Sequence, residues 1–262
     1  MHSRLGRLAL PLLLAGLLRG ADDAAELYRQ AVRLLSEHHT EAAAGLLERS
    51  VALRPADAAT WAALGVARAS VGDYAGAEEP FHRACLLDPL LPDACLYFGR
   101  TLYLLDRFEP ALDVLRRALE KDPQNGQIYR IEALCLAALG RAGEAEAAFR
   151  RAVSLADHAA PDDDPAIDYG VFLFRQGRAE DALGPLRSAV RRHGGAARAQ
   201  LELGCVLLAL DRVPEAAAHL EKAVSLDGRS SRAHLLLGKA ARRLGKNDLA
   251  QRELDQGSRT VK

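Results

Sequence analysis

The sequence predicts an all-α protein built from stacked antiparallel helix pairs, and three observations support this fold class. Nearly half of the residues are apolar, yet aromatic residues make up only 5% of the chain. Alanine and leucine dominate the apolar set, which favours packed helices over sheets. Small residues recur with a period of 34 residues, and a glycine or aspartate recurs midway through most periods. Each period therefore reads as two helices joined by a short turn.

Seven repeat units can be aligned, with three inserted residues between the fourth and the fifth. The units begin at Ala24, Ala58, Pro92, Gly126, Asp163, Ala197 and Ser231. The eighth position of every unit is small: Ala31, Gly65, Gly99, Ala133, Gly170, Gly204 and Gly238. The twentieth position is always alanine, and the twenty-fourth is always large: Leu47, Phe81, Leu115, Phe149, Leu186, Leu220 and Leu254. This pattern predicts two helices in close contact, with small residues opposite large ones.

Gly99 illustrates why the pattern matters. It lies inside a predicted helix over 97–105, where glycine is less favourable than alanine by about 0.8–1 kcal/mol. We expect close packing against the second helix of the same unit to offset that cost.

The turn between the two helices of a unit is also predicted. The fifteenth position holds a residue that tolerates a left-handed backbone in units two to seven: Gly72, Asp106, Gly140, Gly177, Asp211 and Gly245. Pro55, Pro89 and Pro123 end the first three units and stop their second helices. One helix pair cannot bury its apolar face alone, so neighbouring pairs are expected to stack.

The N-terminus differs from the repeats. A basic start precedes an uncharged apolar run, Leu8–Leu18, which is too short to cross a membrane and is typical of a secretory signal peptide. Residues 1–21 are predicted to be that signal peptide, cleaved near Gly20 or Ala21, although Arg19 suits such a cleavage site poorly. An uncleaved anchor, a mitochondrial presequence and a simple apolar leader are the alternatives. A cleaved leader predicts a periplasmic or extracellular protein, and otherwise the protein is expected in the cytoplasm.

The remaining chain is divided by an interruption of the period. Residues 22–159 form units one to four, 160–162 are the short insertion, and 163–262 form units five to seven with a C-terminal cap. Asp164 and Pro165 resemble a helix N-cap followed by proline at the first helical position. The other aspartates of the insertion are expected to form a solvated loop, with a metal site as the minor alternative. The interruption is a candidate joint between a four-unit and a three-unit block.

Charge and motifs exclude several functions. The chain has 35 basic and 35 acidic residues, so a bulk nucleic-acid binder is not expected. Motifs of zinc peptidases, phosphate-binding loops and serine hydrolases are absent from the sequence. We therefore expect no catalytic residues, no cofactor and no metal.

The four cysteines match no zinc-binding spacing. They are Cys85, Cys95, Cys135 and Cys205. Because they fall at or near packing positions, buried thiols are the favoured interpretation. In an exported chain Cys85 and Cys95 are the pair that could form a disulfide, because one ends a second helix and the other begins the next first helix.

The repeats resemble the tetratricopeptide repeat family from Ala24 to the C-terminus. Unit two carries the family's signature in Trp61, Leu64, Gly65, Ala77, Phe81, Ala84 and Pro89, and unit three carries it in Phe98, Gly99, Leu102, Ala111, Leu115, Ala118 and Pro123. The resemblance implies a right-handed α-solenoid whose first helices line a concave groove. Transferred position by position, it implies these partner-binding residues: Tyr97, Arg100, Tyr103, Arg130, Ile167, Phe174, Arg175, Lys239 and Arg242.

Two further features of the implied groove bear on its ligand. Unit two contributes a small apolar face of Ala62, Val66 and Ala69, which suits the backbone of a partner. The ninth position holds no asparagine in any unit, so the clamp that some relatives use for chaperone C-termini is not expected. The alternative interpretation of the aromatic and basic residues is that they pack within their own helix pairs.

The function expected from the resemblance is a non-catalytic protein–protein interaction scaffold, and the predicted signal peptide would place it in the bacterial cell envelope. It would bind a peptide or partner protein in the concave groove. The alternative is a regulatory or accessory subunit that docks one dedicated enzyme or secretion component. The mature chain is expected to lack a membrane span and to bind no nucleic acid, and its oligomeric state is open. The basic end, from Arg229 to Lys262, is expected to be a solvated cap, with an acidic partner as the alternative.

Overall fold

The structure is a computed structural model that describes residues 22–89, 91, 93–156 and 160–259. Within these ranges it contains fourteen α-helices and no strand. The first helix, α1, covers residues 22–36. The others are α2 (Thr40–Leu53), α3 (Ala58–Ser70), α4 (Tyr74–Leu87), α5 (Ala94–Leu104), α6 (Phe108–Lys121), α7 (Gly126–Ala138), α8 (Ala142–Ser154), α9 (Pro165–Arg175), α10 (Ala179–Arg192), α11 (Ala197–Ala209), α12 (Val213–Leu226), α13 (Ser231–Arg243) and α14 (Asn247–Arg259).

The helices belong to two compact units. The N-terminal unit contains α1 to α6 and ends at Pro123, and the C-terminal unit begins at Gln124 and contains α7 to α14. The division therefore falls between the third and fourth repeats. The insertion overlaps a 3-10 turn at Pro161–Asp163, and both lie inside the C-terminal unit.

The predicted turn residues adopt the left-handed backbone in every case. Their φ angles are positive: Gly72 81°, Asp106 57°, Gly140 74°, Gly177 77°, Asp211 61° and Gly245 73°. His38 occupies the same position in the first unit with a φ of 62°. The prediction of a helix–turn–helix in each repeat is confirmed, because this conformation ends one helix and reverses the chain for the next.

Several helices begin at a side chain that caps them. Asp57, Asp73, Asn125 and Ser230 each accept a hydrogen bond from a backbone N–H of the first turn that follows. Asp164 accepts from the N–H of Ala166 at 2.9 Å, and Pro165 is the first residue of α9. The predicted N-cap of the fifth unit is therefore confirmed. Such caps satisfy donors that have no partner within the helix.

In the five repeats that have glycine at the eighth position, this glycine packs against the large side chain at the twenty-fourth. A Cβ atom added to Gly99 would lie 2.5 Å from Cδ2 of Leu115, and one added to Gly65 would lie 2.6 Å from the ring of Phe81. The twentieth-position alanines are buried, at 3% exposure or less. The close packing predicted from the period is confirmed, and it explains why glycine is present inside α5.

Two of the four cysteines form a disulfide, and the other two are free thiols. Cys85 and Cys95 form a disulfide that ties the end of α4 to the start of α5. Cys135 is a buried thiol, as favoured from its packing position, and burial raises its pKa to about 12. Cys205 is a partly exposed thiol on α11. The disulfide was left open by the sequence, because the distance between the two helices depends on how they stack.

The predicted signal peptide lies outside the described residues. Within the described ranges, no helix is both long enough and apolar enough to span a membrane.

Candidate protein-interaction surfaces

A groove between α3 and α5 contains two of the three predicted binding residues of the N-terminal unit, Tyr97 and Arg100. We call it the inner groove. Its cavity has a volume of about 250 Å³, and α4 forms its floor. The lining residues are Val66, Ala69, Ser70, Tyr74, Phe81, Tyr97, Arg100, Thr101 and Leu104. Val66 and Leu104 are each 40% exposed, so the groove presents apolar surface to solvent at its edges.

The two aromatic residues predicted on α5 have different positions. Tyr97 lies in the inner groove with its ring 5.5 Å from that of Phe81, which fixes its orientation. Tyr103 does not line the groove, and its ring lies 5.8 Å from that of Phe108. Packing within the helix pair, the alternative interpretation, therefore describes Tyr103 better than Tyr97.

Arg100 is the charged residue among those that line the inner groove. Its side chain is exposed and forms no ion pair or hydrogen bond with any other described residue. Because the lining contains no carboxylate, the positive charge of Arg100 is available to a ligand. The inner groove thus offers a narrow apolar cleft with one cation at its edge.

The predicted residues of the C-terminal unit fall into a buried and an exposed group. Ile167 is 0% exposed and Arg130 is 6% exposed, so neither presents a useful surface to a partner. Phe174 is half-buried on α9. The exposed group consists of Arg175, Lys239 and Arg242, and within the described part of the chain these side chains have no ion-pair partner.

Arg130 is buried because it belongs to a set of ion pairs that links successive repeats. Its guanidinium donates to Asp168 at 2.8 Å and to Asp163 at 2.6 Å. Asp168 is itself 6% exposed and also pairs with Arg198 of the next repeat. We call this set, together with the Glu202–Arg232 pair, the ion-pair ladder.

The ladder repeats its geometry one unit later. Glu202 on α11 pairs with Arg232 on α13, and the second contact between them, Nη2 to Oε2, measures 2.9 Å. The hydrogen bond that Arg232 donates to the carboxylate of Glu202 raises the pKa of Arg232 above its ordinary value. In both cases an acid at the sixth position of one unit meets an arginine at the second position of the next. These groove-side charges are therefore neutralised internally and are not free for a ligand.

The three consecutive aspartates where the insertion meets the fifth repeat, Asp162 to Asp164, brace the C-terminal unit. Asp163 pairs with Arg130, and the backbone carbonyl of Asp162 accepts from Arg198 at 2.9 Å. Asp164 is fully buried, and Arg192 donates to its carboxylate at 3.1 Å. The expectation of a merely solvated loop is thus too simple, since arginines from three helices hold it. No group of three or more His, Cys, Asp or Glu within the described ranges is placed to hold a metal ion.

Sequence reasoning missed the ladder, although a signal was present. An acid followed 30 residues later by an arginine occurs at Asp168–Arg198 and again at Glu202–Arg232. In a stacked repeat this separation places the two side chains on facing turns of adjacent first helices.

The repeat geometry agrees with the comparisons to known proteins. A model of the family described as Tetratricopeptide repeat matches residues 98–164, 170–231 and 201–258. These segments cover more than half of the chain, so the chain belongs to the tetratricopeptide repeat family. Members are typically non-catalytic scaffolds that bind proteins or peptides, and membership supports a protein-interaction scaffold role for this chain. Comparison with curated proteins finds no match.

Solved structures show the same fold. The chain is similar to a tetratricopeptide repeat protein from Parabacteroides merdae ATCC 43184, with 13% identity over 91% of this chain and 93% of that one and a TM-score of 0.68. It is also similar to PilF of Pseudomonas aeruginosa, with 20% identity over 82% of this chain and 96% of that one and a TM-score of 0.63. A third similar structure is MamA of Desulfovibrio magneticus RS-1, with 23% identity over 64% of this chain and 94% of that one and a TM-score of 0.56. At these identities the likeness confirms the predicted α-solenoid fold and carries no information about partners.

Proposed function

We propose that the chain is a non-catalytic scaffold that holds an extended, acidic segment of a partner protein in the inner groove. The observation that carries the proposal is the unpaired cation at the edge of an apolar cleft. Arg100 lies exposed beside Tyr97, Val66 and Leu104, and no described residue neutralises it. Tyrosine and arginine are also the residue types that most often anchor protein interfaces.

The shape of the groove favours an extended segment. A cavity of about 250 Å³ accepts one or two aliphatic side chains and is too narrow for a whole helix. The small residues Ala69 and Ser70 on α3 allow a backbone to approach closely. A carboxylate next to the apolar side chain would then reach Arg100 and form a charge-assisted hydrogen bond.

The proposed location is an oxidising compartment of the bacterial cell envelope. The disulfide between Cys85 and Cys95 supports it, since disulfides persist in exported proteins and are rare in the cytosol. The predicted leader points the same way. Trapping free thiols in fractionated cells tests this location: the protein should be found in the envelope fraction with this pair oxidised. A reduced pair in the cytosolic fraction would exclude the location.

Selection from a library of random displayed peptides tests the groove. The unaltered protein should enrich sequences in which a Glu or Asp lies within two residues of a Leu, Ile or Val. Arg100→Glu should reverse the preference from acidic to basic residues, because it reverses the one charge in the lining. Arg175→Glu is the matched control: it changes an exposed, unpaired arginine on α9, so the acidic preference should remain.

Two results would contradict the proposal. Peptides retained equally by the unaltered protein and by Arg100→Glu would place binding elsewhere. Loss of the acidic preference in Arg175→Glu alone would assign recognition to the C-terminal unit instead. Circular dichroism on each variant shows whether the fold is retained.

A further inference from the structure

A second groove in the N-terminal unit lies between α4 and α6, with α5 as its floor. We call it the outer groove. Its cavity has a volume of about 330 Å³. The residues that line it are His82, Cys85, Leu86, Pro89, Cys95, Phe98, Val114, Arg117, Ala118, Glu120 and Lys121. None of them is a candidate binding residue of the inner groove, and the function proposed above makes no use of this surface.

The outer groove is formed before any partner arrives. The Cys85–Cys95 disulfide joins the two helices that make its wall and its floor. The ring of His82 stacks on that of Phe98, with centroids 4.9 Å apart and planes inclined by 27°. A surface held in this way loses little conformational freedom when it is covered.

A protruding leucine stands at the edge of the cavity. Leu86 is 65% exposed, the highest value among the large apolar side chains in the described ranges. A hollow with an apolar lining beside an exposed apolar side chain forms a contiguous patch, and such patches mark sites of association. Because Leu86 lies next to the cavity, a two-fold axis could place Leu86 of each copy in the cavity of the other copy.

The charges at the rim are also self-complementary. Arg117 and Lys121 are basic and Glu120 is acidic, and all three line the groove on α6. None of the three forms an ion pair with another described residue. The whole chain carries equal numbers of acidic and basic residues, 35 of each, so two copies would meet without net repulsion.

We propose that the outer groove is a two-fold symmetric interface between two copies of this chain. Leu86 of each copy enters the outer groove of the other, over Phe98 and Val114. Glu120 of one copy faces Arg117 and Lys121 of the other. A purely acidic or purely basic partner would leave one sign at this rim unmatched, whereas a second copy matches both.

Analytical ultracentrifugation of the oxidised full chain across a wide concentration range tests the proposal. The unaltered protein should show a reversible monomer–dimer equilibrium. Leu86→Glu should raise the dimer dissociation constant by about 100-fold or more, because it moves a carboxylate into an apolar cavity. Val71→Glu is the matched control, since Val71 is 55% exposed in the same unit and does not line the groove. It should leave the equilibrium unchanged.

A charge exchange makes the test specific. Glu120→Lys should weaken the dimer, because like charges then face each other across the interface. Adding Lys121→Glu to that variant restores both signs at the rim and should restore the dimer. A monomer at every concentration would overturn the proposal. So would a dimer that resists Leu86→Glu, one that Val71→Glu disrupts equally, or one that the charge exchange fails to restore. Circular dichroism of each variant separates these outcomes from a loss of fold.

Discussion

Replacing Gly99 by alanine tests whether close helix packing explains the glycine inside α5. Glycine in a helix interior is less favourable than alanine by about 0.8–1 kcal/mol, so propensity alone predicts that the variant is stabilised. In the structure, however, the new Cβ would lie 2.5 Å from Cδ2 and 2.7 Å from Cγ of Leu115. Overpacking of this kind typically costs about 1–3 kcal/mol. The expected net effect is a destabilisation between about 0 and 2 kcal/mol.

The chain offers a matched control, Gly45, in the same compact N-terminal unit. Gly45 lies inside α2 on an exposed part of the helix, and a Cβ added there meets nothing within 4 Å. Gly45→Ala should therefore stabilise the protein by about 0.8–1 kcal/mol. The difference between the two variants isolates the packing cost at Gly99, because the change in helix propensity is common to both.

Urea denaturation followed by tryptophan fluorescence is a suitable assay. Trp61 is the single tryptophan of the chain and lies on α3, in the same compact N-terminal unit as both glycines. Its indole N–H donates to the carbonyl of Pro55 at 2.9 Å, so unfolding should change its environment.

The outcome that would refute the packing argument is clear. If Gly99→Ala stabilises the unit as much as Gly45→Ala, the contact with Leu115 does not require glycine. A second test uses Leu115→Val, which shortens the facing side chain. In the double variant the two changes should be less destabilising than the sum of their separate effects, because the shorter side chain leaves room for the new methyl group. Strict additivity would also contradict the argument.

Three further predictions concern the ladder and the cysteines. Asp168→Asn should destabilise the C-terminal unit by about 3 kcal/mol, since it removes the charge from a buried ion pair; urea unfolding by circular dichroism measures this, and a change below about 1 kcal/mol would contradict it. Reducing the Cys85–Cys95 disulfide should cost the N-terminal unit about 2–3 kcal/mol, as expected for a short closed loop, and an unchanged urea midpoint of the tryptophan signal would be the negative result. At mildly alkaline pH an alkylating reagent should modify Cys205 well before Cys135, whose pKa burial raises to about 12; equal rates would show that Cys135 is accessible.

The repeat architecture could be predicted from the sequence because its rules are local. A left-handed turn needs glycine or a residue such as aspartate, and close helix contact needs small residues at a regular spacing. Gly72, Asp106 and Gly99 each satisfy these rules through contacts within their own repeat. No knowledge of distant residues was therefore needed. The same locality explains why the N-cap at Asp164 was predictable.

The candidate sites were only partly predictable, because the family resemblance transfers positions and not environments. It placed Arg100 at the ninth position of its repeat and Arg130 at the fifth position of the next, and both positions face the groove in relatives. The structure leaves Arg100 exposed and buries Arg130 between two carboxylates. What differs is whether an acid from the next repeat lies within reach.

The sequence by itself therefore determined the helix pairs, their turns and their close packing, since each depends on residues a few turns apart. Only the tertiary structure decided the Cys85–Cys95 bond, the ion-pair ladder through Asp168, and that Tyr97 lines the inner groove whereas Tyr103 does not. These features depend on how one repeat stacks on the next. A stacking shift of one helical turn moves a side chain by about 5.4 Å, which is enough to make or break an ion pair.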